Sequence, residues 1–186
     1  MGKTALILID IQNDYFGDKN GKFPLVGINE ATLKAKTLLE AARKNNDIEI
    51  IHIQHVFDSD PAPFFGENTK GVEINSEVKP TNDELVIVKH SPNSFVGTKL
   101  EETLRSKNVT DLVIVGAMTH ICIQGTTRSA AELGFKVIVP KDAVATRDLE
   151  FDGVIVNAAQ VSASVFATLE FGYATVSSTE EVLKTF

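Results

Sequence analysis

Residues 112–133, LVIVGAMTHICIQGTTRSAAEL, decide the fold. The opening LVIV is apolar at every position, and from Gln124 onward the run takes on a helical period before Gly134 stops it. A strand without a polar face belongs inside a parallel sheet covered on both sides, because a half-solvated antiparallel strand would alternate. The same rhythm extends outward in both directions. ALILI precedes NEATLKAKTLLEAARKNN; IEIIHI and a second LVIV precede TKLEETLRSKN; KVIVP precedes a long helical stretch and then YATVSS. This is the βαβ pattern of an α/β three-layer sandwich, with a mostly parallel central sheet of about six strands and helices on both faces, read as one domain over residues 1–186. In the first helix, Leu33, Leu38, Leu39 and Ala42 are expected on the buried stripe and Asn29 at the cap.

Two segments break the rhythm. Residues 57–82 hold three prolines, two glycines and the pair Phe64-Phe65, and residues 12–26 follow the first strand directly. Both read as long loops, and loops of this length act as lids or binding walls about as often as they are plain surface excursions.

Composition narrows the partners. A net charge of -7 spread over many helix faces argues against nucleic acid and against an anionic membrane, leaving a small-molecule substrate as the expected partner. No apolar run approaches the roughly 20 residues needed to cross a bilayer. One cysteine cannot form an internal disulfide, and MGKTALILID enters a short strand without a leader pattern, so a cytoplasmic location is expected.

In open parallel sheets, ligands bind beyond the carboxyl ends of the strands. Three apolar runs end there on chemistry-bearing residues: Asp10 after ALILI, Lys89 after LVIV, and Cys122 where LVIVGAM meets its helix. A thiol attacks as thiolate, which a helix N-terminus, an ammonium and a carboxylate base all promote. Each residue alone has an ordinary structural explanation; their joint placement at three strand ends favours one site.

These residues carry a resemblance. ALILIDIQNDYF, VIVKHSPNSF, VIVGAMTHICIQGTTRSAAELGFKVIVPKDA and the closing YATV are together similar to the isochorismatase-like cysteine hydrolases, the superfamily of nicotinamidase, N-carbamoylsarcosine amidase and isochorismatase. The resemblance implies that Cys122 is the nucleophile, Asp10 the general base and acid, and Lys89 the third member of a triad. It also implies a cis peptide between Ala117 and Met118, with the amides of Met118 and Cys122 forming an oxyanion hole. No cofactor is expected. The reaction implied is hydrolysis of a carbon–nitrogen bond, amide or carbamoyl, through a thioester; vinyl-ether hydrolysis, and a non-catalytic or redox-sensing protein of the same fold, stay open as alternatives.

Nicotinamidases carry a metal beside the triad on an Asp-x-His pair after the second strand, where this chain reads Gln54-His55-Val56. His52 and His55 are three apart on a strand and face opposite sides, so no metal is expected. The loops beside the triad nominate Gln12, Tyr15, Phe16, Gln54, His55, Phe57, Phe95, Thr119 and His120 as substrate-binding candidates. Arg128 and Asp142 are expected to pair behind the site. Val161, Val165, Phe166 and Phe171 near the last long helix fit a homo-oligomer, dimer or tetramer, and fit a buried core helix equally well.

Overall fold

The computed structural model describes residues 2–186. Strand β1 (Lys3–Ile9) leads through a long loop to helix α1 (Ile28–Ala42), then to β2 (Ile48–His55) and, after the second long loop, to β3 (Leu85–Lys89). Helix α2 (Leu100–Ser106) follows, then β4 (Val109–Ala117), a π-helical turn (Thr119–Ile123), α3 (Gln124–Glu132) and β5 (Lys136–Pro140). The chain closes with β6 (Val144–Ala145), the hairpin β7 (Leu149–Phe151) and β8 (Val154–Val156), helix α4 (Ala158–Gly172), β9 (Thr175–Ser177) and α5 (Thr179–Leu183).

Six strands run in the order β3-β2-β1-β4-β5-β9, with β6 paired to β4, and every pairing in this sheet is parallel. The sheet expected to be mostly parallel is therefore wholly parallel; among the described residues antiparallel pairing occurs in the separate β7-β8 hairpin and in the isolated bridges between Gln12 and Ile74 and between Val26 and Thr146. The helical stretch expected through this region is thus interrupted by that hairpin and by β6. Three-residue strands joined by Asp152-Gly153 are too short to stand out by period.

Alternation divides the core into two layers. Leu6, Leu8, Val113 and Val115 pack beneath α1 and α5, whereas Ile7, Ile9, Ile53, Ile114 and Val139 pack against α2, α3 and α4. Helix α1 buries Ala31, Ala35, Leu38, Leu39 and Ala42 as its period demands. Leu33 is exposed instead, and the cap is Gly27 in a left-handed conformation, with Asn29 already inside the helix. Val161 and Val165 of α4 are both buried, Val165 within the core cluster under the sheet, which leaves them to the interior and not to an interface.

The strand order reverses between β1 and β4, and at such a switch point the flanking loops part to leave a crevice. Here the two strands approach closely. Gly116 pairs with Ile9 at φ +122°, and a Cβ built there would lie 2.0 Å from the Ile9 carbonyl oxygen. Gly116→Ala is expected to lower stability by about 3 kcal/mol in urea unfolding, whereas Gly27→Ala, with open space around a φ of +71°, costs about 1 kcal/mol.

Candidate active site

Asp10 follows the last residue of β1 in a left-handed conformation, φ +53°, which Asp tolerates better than most residues. Its amide donates to the Ile53 carbonyl, and its carbonyl accepts from Gln12. Lys89 ends β3, two strands away, on the face that also carries Ile87. From there its chain crosses over β2, whose His55 is its register partner, to put Nζ 2.9 Å from Asp10 Oδ2. Both side chains are 0% exposed. The loop after β3 folds back to give the ammonium a second partner, the Pro92 carbonyl at 2.7 Å.

Cys122 lies in the π-helical turn that opens α3, where the Met118 carbonyl accepts from the amides of both Ile121 and Ile123. The peptide between Ala117 and Met118 is cis, as the resemblance implies. The thiol is 3% exposed, and its sulfur, a ligand atom of Asp10 and one of His55 lie within 4.8 Å of one another. The three triad residues expected from sequence are thus brought together, with His55 as a fourth neighbour.

The electrostatics overturn one expectation. Burial pushes the Cys122 thiol well above its usual range, the Asp10 carboxylate reinforces the shift, and Lys89 offsets only part of it. Burial also raises Asp10, against the pull of Lys89. A preformed thiolate of low pKa is therefore not the resting state. With the thiol protonated, one ammonium and one carboxylate leave the cluster neutral; ionising the thiol outright would bury a second anion. The proton has a neighbour to go to, the Asp10 carboxylate, and no need to leave the cluster.

His55 is buried and held neutral, its pKa lowered to about 4 by desolvation and by the charges of Lys89 and His90. Its Nδ1 is 4.0 Å from Asp10 Oδ2, Phe57 stacks on its ring at 4.7 Å, and its Nε2 has no partner among the described residues. Asp10 Oδ1 and Thr119 Oγ1 are likewise buried without partners.

The other candidates separate into two groups. Tyr15 is buried near the cluster, where desolvation first and the charges of Asp10 and Cys122 next raise its pKa, and its ring packs on Phe23, Phe64 and Phe65. Phe23 of the first long loop stacks on Phe64 of the second, which Phe57 meets edge-on, so the two loops join in one aromatic cover beside the cluster. Gln12 stands next to the site but spends its amide on structure, donating to the carbonyls of His55 and Val72 and accepting from the His55 amide. Gln54 takes the opposite face of β2 from His55, bonds the Val72 carbonyl and lines a separate recess with Asn13 and Ile74. Phe16 is core under α1, Phe95 packs on Phe135, and His120 is tied to Thr146 Oγ1 at 2.6 Å. Arg128 and Asp142 do not pair: Arg128 lies over the Tyr173 ring, and Asp142 accepts from Thr179 at the start of α5.

Sequence reasoning missed Asp14. Its buried carboxylate accepts from the amides of Phe65 and Lys22, and Gly71 packs so closely that a Cβ would strike it, so one acid ties both long loops together. An acidic residue five positions after the end of a strand gives no signal of this by itself.

The residues after β2 do not fit a nicotinamidase-type metal. His52 bonds Glu84 at 3.0 Å on the opposite face of the strand, and Gln54 and Val56 replace the Asp-x-His ligands. Asp10, His55 and Cys122 are close enough to share an ion, but the Lys89 ammonium already holds the Asp10 carboxylate there.

The comparisons identify the family. The isochorismatase domain matches residues 4–170. The chain is 45% identical over 181 residues to YddQ, an uncharacterised isochorismatase-family protein of Bacillus subtilis strain 168, covering 97% of this chain and 99% of that one. A crystal structure from Oleispira antarctica assigned to the isochorismatase hydrolases superposes with a TM-score of 0.94 at 44% identity, covering 98% and 97%. A streptothricin hydrolase of Streptomyces noursei is 30% identical over 145 residues, which are 78% of this chain and 50% of that enzyme.

Two outcomes test the site. Lys89→Met leaves the Asp10 carboxylate buried without its counter-ion and is expected to cost about 3–5 kcal/mol in urea unfolding. His55 has its pKa lowered from 6.5 to about 4, so between those values the unfolded chain binds a proton that the folded protein refuses. Stability therefore falls as pH drops through that window, by roughly 3 kcal/mol in full, and the fall should be shallower in His55→Gln when unfolding is measured across it.

Proposed function

This chain belongs to the isochorismatase family, whose members are hydrolases, and on the closed Asp10-Lys89-Cys122 cluster we propose that it cleaves a carbon–nitrogen bond, amide or carbamoyl, of a small molecule through a thioester on Cys122. The observation that carries this reading is a buried thiol whose neighbouring carboxylate is itself held by a buried ammonium. Such a carboxylate can take the thiol proton without leaving the site with a net charge.

In the first step Asp10 accepts the Cys122 proton as Sγ attacks the substrate carbonyl carbon. A carbon–sulfur bond forms, and the carbonyl electrons move to oxygen. The amides of Met118 and Cys122, at the start of the helical turn, receive that oxyanion; donors of this kind are each worth a hundredfold or more in rate. Asp10 then returns the proton to the departing nitrogen, the carbon–nitrogen bond breaks, and ammonia or an amine leaves. Water, deprotonated by Asp10, attacks the thioester; the carbon–sulfur bond breaks, the acid is released and the thiol recovers its proton. Lys89 keeps Asp10 ionised whenever it must act as base.

The unpartnered atoms support the same reading. Asp10 Oδ1, His55 Nε2 and Thr119 Oγ1 are buried groups that a polar substrate would satisfy, and buried polar groups seldom stay unpaired. The triad is closed to solvent, so substrate enters by displacing the cover in which Phe57 and Phe64 take part, and once inside reacts away from bulk water. Retention of the thiol distinguishes this reading from acid-only vinyl-ether hydrolysis. The substrate of the streptothricin hydrolase belongs to that enzyme; the likeness supports hydrolysis here and leaves the substrate to experiment.

A panel of small primary amides, carbamoyl compounds and isochorismate, assayed for ammonia and for pyruvate, tests the proposal. Ammonia release is expected, with an acyl adduct on Cys122 in intact-mass spectra of slow substrates. Cys122→Ala should lose at least about a thousandfold in kcat, and Asp10→Asn should keep binding while turnover collapses. Undiminished hydrolysis by Cys122→Ala, or pyruvate as the product, would overturn it.

A further inference from the structure

One neighbour of the triad has no part in the reaction as written. His55 is buried, its amide donates to Gln12 Oε1 and its carbonyl accepts from Gln12 Nε2, each at 2.8 Å, and Phe57 stacks on its ring at 4.7 Å. Backbone and ring face are both committed, which leaves the two in-plane nitrogens as the groups able to meet a ligand. Gln12, itself buried and bonded only to this residue and to Val72, is the side chain that aims the ring.

His55 Nδ1 stands 4.0 Å from Asp10 Oδ2. That is too long for a hydrogen bond and suits two groups that share a third atom between them. Bonds of about 2.9 Å from each would meet at one oxygen with an angle of roughly 90°. A ring nitrogen of His55 also lies within 4.8 Å of Cys122 Sγ, so an atom bridging histidine and aspartate stands beside whatever carbon the sulfur has bonded. The surroundings decide which nitrogen carries the proton. Nδ1 faces a carboxylate and Nε2 has no partner among the described residues; a buried bare acceptor is tolerated better than an orphaned N–H, so the hydrogen belongs on Nδ1. Desolvation and the charge of Lys89 keep the ring neutral, with its pKa lowered to about 4, so His55 is a donor there and leaves the work of the base to Asp10.

We propose that His55 positions the hydrolytic water of the second half-reaction, donating from Nδ1 to the water oxygen while that water donates to Asp10 Oδ2. The inference rests on the thioester reading above. Once ammonia or the amine has left, water takes the place between the two side chains. His55 holds one of its lone pairs, one hydrogen points at the carboxylate, and the other lone pair is turned to the thioester carbon. Asp10 takes the proton as the oxygen–carbon bond forms and the carbonyl electrons move to oxygen. Those electrons return, the carbon–sulfur bond breaks, and the proton passes from Asp10 to Sγ, which frees the acid and restores the thiol. Asp10 Oδ2 can take this partner, because Lys89 occupies one of its lone pairs and leaves the other. In the first half-reaction Asp10 alone moves the proton, so loss of His55 falls on thioester hydrolysis and spares acylation.

Acetyl transfer from p-nitrophenyl acetate separates the two halves without the natural substrate. Release of nitrophenolate reports acylation of Cys122, and decay of the acetyl adduct in intact-mass spectra, after excess ester is removed, reports its hydrolysis. His55→Phe keeps ring volume against Phe57 and removes the donor. It is expected to acylate within about threefold of wild type and to lose the adduct about a hundredfold more slowly, the scale of a misplaced reactant. His55→Asn, whose side-chain amide can put an N–H where Nδ1 stands, should recover at least about tenfold of that loss. Hydroxylamine, a stronger nucleophile that needs no base, should clear the adduct from His55→Phe as the hydroxamate. Equal decay in His55→Phe and wild type, a loss confined to acylation, or a His55→Asn no faster than His55→Phe would overturn the inference and leave the thioester reading standing. A wild-type Cys122 that takes no acetyl group, or whose adduct persists as long as that of His55→Phe because neither hydrolyses, would overturn both.

Discussion

A lysine and an aspartate with no exposure to water, 2.9 Å apart, are the constraint around which this protein is arranged. Taking two ions out of water costs several kcal/mol each, and the fold recovers that only through close contact and further polar partners. The Pro92 carbonyl on the ammonium is one such partner, and it requires the loop after β3 to turn back over the site. The cost also explains why Lys89 sits on the sheet edge. A lysine side chain needs room to cross a neighbouring strand, and β3 lies two strands from β1, with His55 and its lowered pKa filling the space between.

The pair sets the chemistry of the thiol. A lone buried cysteine would be a small hydrophobe, and a cysteine beside a free ammonium would be a standing thiolate. Here the ammonium is already matched by a carboxylate, so the resting cluster is neutral and the thiol stays protonated. In the proposed reaction, reactivity then depends on moving one proton over a short distance as the substrate carbonyl arrives. A reactive thiolate is thereby kept from forming in the empty site, where oxidation would compete. The closed aromatic cover has the same consequence, because water that could solvate the ions also stays out.

The two long loops are cross-tied where composition reads them as irregular. Asp14 holds Phe65 and Lys22, Gln12 holds the end of β2 and Val72, and Tyr15, Phe23, Phe57 and Phe64 interlock. Several residues expected to touch substrate are therefore committed to holding the loops in place. Gln12 is the plainest case: three hydrogen bonds leave its amide little to offer a ligand. Gln54 and Phe16 fall away for a simpler reason, the alternation of faces along a strand and the packing beneath α1.

The residues alone determined the layers, the parallel sheet and the three strand-end groups, because these follow from local period and from the rule that apolar runs end where loops converge. The same local reading put Leu33 inside α1 and Asn29 at its cap, since a stripe on a helical wheel does not say where the neighbouring sheet stops. Tertiary structure decided what depends on distance between remote segments. Arg128 found Tyr173 instead of Asp142, Asp14 became the tie between two loops, and burial reversed the expected acidity of Cys122. Each of those outcomes turns on how much water and which charges surround a group, a property of the assembled fold that no window along the chain contains.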